Sequence, residues 1–416
     1  MQKKLAPCLG HALLGFAAAT CLSGAAKASD HGAWCGTWEA SPAGLPPATK
    51  IGSYTPPSAI TFRGTIRYRL RIARGGDHIR LRFSNEYADS PLLLAAASVG
   101  LASNALDATP GSLHRVTFDG KESITIPAGA PALSDPIELM VKSLADLIVN
   151  IYVPEGVSIL DCTPDHHPID QGAVEGVDAT RLEHVSVSQC LSLRPIVSQV
   201  HVFAGQSCKT IVALGDSTTD GLVDPIAGER GWPGALSRRL VKTQFSVVNA
   251  GIGGNRLLQT MPMFGASALS RLDRDVLSVP GVSHIIVLEG INDIAMSGPG
   301  FVFGDTPQVK PEELIAALSQ IIARAHERGI KVFGTTVLPF GGNPSHSDER
   351  ERVRSAVNEW IRTSKKFDGI IDFDAAMRDP ASPLKLREKF DGGDHVHPNA
   401  LGYRRMGEMM ELRLFN

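Results

Sequence analysis

The stretch Thr210-Ile211-Val212-Ala213-Leu214-Gly215-Asp216-Ser217-Thr218-Thr219-Asp220-Gly221 constrains the fold more than any other part of the chain. Its apolar run, Ile211 through Leu214, suits a strand buried on both faces of a parallel sheet. The run halts at Gly215, small and polar residues follow, and residues 231–240 then read as a helix. Strand, turn and helix in that order put Ser217 just past the carboxyl end of a strand, where open α/β sheets hold their ligands. Taken alone, the stretch reads equally well as a βα turn whose Gly, Ser and Asp only shape and cap it.

From Lys209 onward short apolar runs alternate with amphipathic segments, the pattern of a doubly wound parallel sheet. Strands are expected at 245–248, 284–288, 330–337 and 369–373. Residues 311–328 read as a helix with Pro311 early, Glu312 and Glu313 in the first turn and Gly329 at the end. A second helix is expected over 348–364, with Val353, Val357, Trp360 and Ile361 on one face. A last one covers 397–415, with Pro398 in its first turn.

Residues 34–205 show a period of two instead. Arg67-Tyr68-Arg69-Leu70-Arg71-Ile72 and His78-Ile79-Arg80-Leu81-Arg82-Phe83 both alternate, as strands with one buried and one wet face do. Gly75-Gly76-Asp77 between them predicts a hairpin. With further strands expected at 123–126, 147–153, 185–187 and 197–203, this half reads as a β-sandwich or jelly roll. Its arginine rows are either a face for acidic glycans or the solvated side of a sheet. His166-His167-Pro168, flanked by Asp165 and Asp170, lacks a second cluster that would complete a metal site, and reads as a polar loop near the cleft.

The amino terminus is of another kind. Lys3 and Lys4 precede a small-residue apolar run over 9–22, followed by Ala26-Lys27-Ala28, the arrangement of a secretory signal peptide cleaved near Ala28. The expected division is therefore 1–28 signal peptide, 29–205 β-sandwich-like accessory domain and 206–416 catalytic domain, in a secreted or periplasmic protein. No later stretch is long and apolar enough for a transmembrane helix. Cleavage leaves Cys35, Cys162, Cys190 and Cys208, enough for two disulfides in any of three pairings. The formal net charge of −2 shows no commitment to nucleic acid or to an anionic membrane.

The loops leaving the expected parallel strands carry the chemistry. They hold Asn249-Ala250-Gly251-Ile252-Gly253-Gly254-Asn255-Arg256, then Glu289-Gly290-Ile291-Asn292-Asp293, then Asp391-Gly392-Gly393-Asp394-His395-Val396-His397-Pro398. A doubly wound sheet gathers all of them at the edge where Ser217 lies. A serine hydroxyl needs a base, for which His397 is the candidate, and the imidazole needs its other nitrogen held, which Asp394 can do. A tetrahedral intermediate needs oxyanion donors. The Ser217 and Gly254 amides and the Asn292 side chain are the candidates, with Gly253 a neighbouring alternative for Gly254.

These segments resemble the blocks of the SGNH (GDSL-type) hydrolases: Gly215-Asp216-Ser217, the glycine-rich loop 249–254, Gly290-Ile291-Asn292-Asp293, and Asp394 with His397. The resemblance covers about the last 210 residues, with Thr218 where the family's short name has Leu. It implies a flavodoxin-like α/β/α fold and a serine esterase with Ser217 as nucleophile. In it, Gly254 and Asn292 would be oxyanion donors, with His397 and Asp394 as base and orienter. The G-x-S-x-G elbow of the α/β-hydrolases is absent at Ser217, where Thr219 occupies the second glycine position. The expectation is an exported carboxylic-ester hydrolase working through an acyl-enzyme without metal or organic cofactor. Its substrate is a small-molecule or glycan ester, with an acetylated carbohydrate leading. Acyl transfer to a sugar acceptor, lipid or aryl ester hydrolysis, and glycan binding without turnover are the alternatives.

Overall fold

The short apolar runs after Lys209 form a five-stranded parallel sheet in a computed structural model. The structure describes residues 33–45, 55, 59–161, 171–186, 191–192, 196–204, 208–221, 230–298 and 307–415. Its strands in chain order are Lys209–Gly215, Phe245–Gly251, Val282–Leu288, Lys331–Thr335 and Gly369–Ile371. In space the second strand lies outside the first, and the third, fourth and fifth follow on its other side. The order reverses between the first and third strands, the place where doubly wound sheets open a crevice.

Side-chain alternation along the strands explains why both faces need cover. Val212, Leu214, Ile285, Val287 and Val332 share a core with Leu318, Ile321, Val353 and Val357, from helices Pro311–His326 and Asp348–Thr363. Their strand neighbours Ile211, Ala213, Ile286 and Phe333 point the other way. They pack with Trp232, Leu236, Tyr403 and Met406, from helices Gly231–Leu240 and Ala400–Met409. The last helix starts later than its sequence suggests. Asn399 caps it by accepting the Gly402 amide at 3.0 Å, so Pro398 belongs to the preceding loop and not to the first turn.

The first half contains two larger antiparallel sheets. One orders Ala33–Glu39, Val197–Ala204, Gly76–Ser84 and Ile137–Val141; the other is built on Ala59–Arg71 and the sixteen-residue strand Asp146–Asp161. One apolar core takes residues from both, among them Ile79, Leu81 and Val200 from the first and Ile66, Leu70 and Val149 from the second. The expected hairpin at Gly75-Gly76-Asp77 does not form. Its two strands belong to different sheets, and the chain crosses between them through Ile72 and Ala73, whose amides bond Ala145 O and Thr37 O. A Cβ on Gly75 would lie 2.3 Å from Val141 O, so those glycines serve close packing of backbones rather than a tight two-strand turn.

The arginine rows divide as well. Arg67 is fully buried and donates to Asn150 Oδ1 and to the carbonyls of Leu106, Leu182 and Glu183, so it lies on no wet face. Arg69 and Arg71 converge on Asp146. The 185–187 strand is not formed at Val185 and Ser186, and the His166 loop and the signal segment fall outside the described residues.

Residues Gly32–Asn416 make one compact unit. A disulfide joins Cys35 to Cys208, just ahead of the first parallel strand. The Gly36 amide reaches Pro280 O at 2.9 Å, and the amide of Ala266 donates to the Tyr87 hydroxyl at 2.9 Å. The other cysteines expected to pair, Cys162 and Cys190, are outside the described residues. Among the described residues no helix is long and apolar enough to cross a membrane.

Candidate active site

Ser217 opens a single helical turn, Ser217–Asp220, at the carboxyl end of the first parallel strand. Asp216 caps that turn by accepting the Thr218 amide at 2.8 Å. The turn is sharp because Gly215 lacks a side chain: a Cβ there would lie 2.1 Å from Thr219 Oγ1 and 2.6 Å from Leu288 O. Asn249, at the end of the second strand, ties this turn to its own loop, donating to Thr219 O at 2.8 Å and accepting the Gly251 amide at 2.9 Å.

The loop before the last helix brings a histidine to the serine. His397 Nε2 lies 2.7 Å from Ser217 Oγ, and His397 Nδ1 lies 2.5 Å from Asp394 Oδ2. The other oxygen of Asp394 accepts the amides of Val396 at 3.0 Å and His397 at 2.8 Å, so the carboxylate cannot rotate freely. With Nδ1–H donated to Asp394, the neutral ring turns the lone pair of Nε2 toward the hydroxyl. Burial raises the Asp394 carboxyl, but the His397 ring and the two amides outweigh it and hold its pKa well below the usual carboxylate range.

A second, parallel pair stiffens the same loop. Asp391 Oδ2 lies 2.6 Å from His395 Nδ1, and Oδ1 accepts the amides of Gly393 and His395. His395 has φ +64, a left-handed conformation that a non-glycine residue adopts at a cost. From the loop after the fourth strand, Asn343 donates to Asp394 O at 2.9 Å. Sequence reasoning passed over Asp391, His395 and Asn343. The i, i+4 spacing of Asp391 and His395 was the available signal.

The expected oxyanion donors lie in the segments that follow the second and third strands. Gly254 has φ +74, and a Cβ there would meet the Phe264 ring at 2.5 Å, so both conformation and packing require glycine. The neighbouring Gly253 has open space around its Cβ position, so it is not held to glycine in this way. Among the described residues, neither the Ser217 nor the Gly254 amide has a hydrogen-bond acceptor. Asn292, in the turn Ile291–Ala295, is buried and donates one Nδ2 hydrogen to Asn255 O at 2.9 Å, leaving its second donor.

Behind the serine lie buried acids. Burial pushes Asp216 up to about 6, against the pull of the Thr218 amide and of His397. Burial also lifts Asp293 to about 6, although it accepts the amides of Leu257 at 2.7 Å and Leu258 at 3.0 Å. Glu289, fully enclosed at the end of the third strand, is raised well above its ordinary value by burial and by the charge of Asp216. Asp216, Thr218 and Glu289 share a cavity with an apolar wall of Ile291, Val337, Phe340 and Val396. A hydroxyl hydrogen-bonded to an oriented imidazole is the pair that acyl transfer requires.

Among solved structures, a lipolytic protein of the G-D-S-L family from Desulfitobacterium hafniense is similar at 22% identity and a TM-score of 0.37, covering 48% of this chain and 96% of its own. An aryl esterase of M. smegmatis matches at 18% identity and TM-score 0.37, with 48% and 95% of the two chains covered. The acetyl xylan esterase AlAXEase matches at 21% and 0.37, with 48% and 96% covered. No curated protein matches the chain. Residues 213–405 match the GDSL-like Lipase/Acylhydrolase family, so the parallel half carries a GDSL-like acylhydrolase domain, a serine ester hydrolase.

Proposed function

We propose that the protein is an exported esterase in which Ser217 is the nucleophile, His397 the base and Asp394 the group that orients it. The observation that carries this reading is the continuous relay from Ser217 Oγ through His397 to Asp394, at 2.7 and 2.5 Å. Ser217 Oγ attacks the ester carbonyl carbon as its proton passes to His397 Nε2. The oxyanion is held by the Ser217 and Gly254 amides and by Asn292 Nδ2. Collapse breaks the C–O bond to the alcohol, which takes the proton from His397. Water then repeats the sequence on the acyl-serine and releases the acid.

The oxyanion assignment has a direct test. Asn292→Ala should lower kcat by roughly 10²–10³ with little change in KM, since the donor matters most when the oxyanion forms. An unchanged kcat would make Asn292 a loop strut that only holds Asn255 O.

The pH dependence follows from the charges around the imidazole. His397 accepts the serine proton only when neutral, so kcat/KM should rise with pH to a plateau. Asp216 carries negative charge above about 6 and attracts the imidazolium. Asp216→Asn removes that charge, so the ascending limb should move to lower pH. A limb that moves upward in a pH–rate profile on a non-ionising ester would contradict the assignment.

The finer reading is a carbohydrate ester as substrate, with residues 29–205 an accessory sandwich and export directed by residues 1–28. What supports the substrate class is the position of the first half. Tyr87 holds Ala266, two residues beyond the Phe264 that packs on Gly254, so the first half braces the loop beside the proposed oxyanion donor. The disulfide between Cys35 and Cys208 suits an oxidising compartment. The purified protein should release acetate from acetylated oligosaccharides faster than it cleaves aryl esters of longer acids. Turnover of aryl esters without any release from the sugars would remove the carbohydrate reading and leave the esterase one intact.

A further inference from the structure

Arg271 lies in the short helix Ala268–Leu272, fully buried, with its guanidinium under the carboxyl ends of the first three parallel strands. Nη2 donates to Gly215 O at 2.9 Å, two residues before Ser217, and faces Glu289 Oε1 at 3.5 Å. Nη1 donates to Ala250 O at 2.6 Å and faces Asp275 Oδ2 at 3.4 Å and Ser41 Oγ at 3.3 Å. Nε donates to Asn255 Oδ1 at 2.9 Å. The fork thus touches the nucleophile's strand, the oxyanion loop, the residue that follows the third strand just before the turn carrying Asn292, and Ser41 from the first half of the chain.

Asn255 passes the constraint on. Its Nδ2 donates to Phe264 O at 2.6 Å and Ala266 O at 2.9 Å, fixing the ring that packs on Gly254. Its own carbonyl takes one hydrogen of the Asn292 amide, which decides where the other hydrogen points. We infer that Arg271 is a positioning residue for catalysis, setting the oxyanion donors Gly254 and Asn292 through Asn255 while bracing the Ser217 turn. This rests on the oxyanion roles proposed above. The guanidinium touches no substrate.

A planar five-donor fork is needed because the groups to be held lie in several directions. A lysine keeps the charge but offers a single compact centre. Burial keeps Glu39 and Glu289 protonated well above their ordinary range, and each has an oxygen without a hydrogen-bond partner. The carbonyls of Gly215 and Ala250, at 2.9 and 2.6 Å, lie closer to the fork than the carboxyl oxygens of Glu289 and Asp275, at 3.5 and 3.4 Å.

The test is a double-mutant cycle between Arg271→Lys and Asn292→Ala, with kcat expressed per Ser217 titrated by an organophosphonate so that only folded sites are counted. Arg271→Lys should lower kcat by roughly 10–100-fold, a loss typical of small misplacements, with KM changed less than about threefold. In the Asn292→Ala background the same change should cost several-fold less, because one of the groups it positions is gone. The pH of the ascending limb should stay where it is. Equal losses in both backgrounds, or a wild-type kcat per titrated site, would overturn the inference. Asn292→Ala without effect by itself would instead remove the oxyanion reading on which the inference stands. If the lysine variant does not fold, Asn255→Ser cuts the next link and is read by the same cycle.

Discussion

Replacing Ser217 with alanine is expected to lower kcat by roughly 10⁴–10⁶ and to leave the fold in place. The hydroxyl is nearly buried, and its side-chain partner is His397, which stays anchored to Asp394 and to the loop amides. Loss of one oxygen at a loop position is a small change for stability, on the order of 1 kcal/mol. Activity and stability should therefore separate cleanly. An organophosphonate should modify the wild-type protein at Ser217 alone and leave the alanine variant unmodified, read by mass on the peptide that carries Asp216 and Thr218. Labelling of another serine, or turnover within tenfold of wild type, would show that the nucleophile lies elsewhere.

Asp394→Asn should cost about 10⁴ in kcat, the scale seen when a triad carboxylate becomes an amide. The geometry makes the reason specific. Asp394 Oδ1 accepts two backbone amides, so in the variant the carbonyl oxygen of the amide must occupy that place. Its NH₂ then faces His397 Nδ1 and forces that nitrogen to accept. The proton moves to Nε2, which now points a hydrogen at Ser217 Oγ and cannot take one. Asp394→Ala imposes no tautomer and should retain more activity than the asparagine variant. Equal activity of the two variants would show that Asp394 acts through its charge alone, and the reverse order would show that the amide does not impose the wrong tautomer.

The same residue links to stability. The folded-state pKa of Asp394 is depressed, so its contribution is present above the ordinary carboxylate range and is lost as pH falls through the folded value. The stability gap between wild type and Asp394→Asn should accordingly narrow in acid.

The parallel half was legible because its strands are buried on both faces and so appear as unbroken apolar runs, with amphipathic helices between them. Ser217 and Asn292 stood out because each follows the end of such a run, and Asp394 with His397 because the pair stands just before the final helix. The first half was less legible. Alternation does mark the strand Gly76–Ser84, but in Ala59–Arg71 the same alternation hides Arg67, a cation buried by carbonyl partners brought from residues 106, 182 and 183. Period-two patterning reports which side a residue takes and not which sheet a strand joins, so the crossing at Ile72 and Ala73 was read as a hairpin. Arg271 was invisible for a related reason. Its main partners are backbone carbonyls at Gly215 and Ala250, and a carbonyl leaves no trace in the residue type.

The disulfide between Cys35 and Cys208 spans 173 positions and meets the chain again just before the strand that leads to Ser217. The strand Ala33–Glu39 also pairs with Val197–Ala204, so the two ends of the first half lie side by side at its root. That half is thereby a covalently closed ring hung from the catalytic sheet. A protease that cuts once anywhere between 36 and 207 opens the ring without releasing either piece, and the nicked protein keeps its mass until the bridge is reduced. Cleavage damage in the surface loops of the first half is thus uncoupled from its loss, a form of durability that packing alone does not supply.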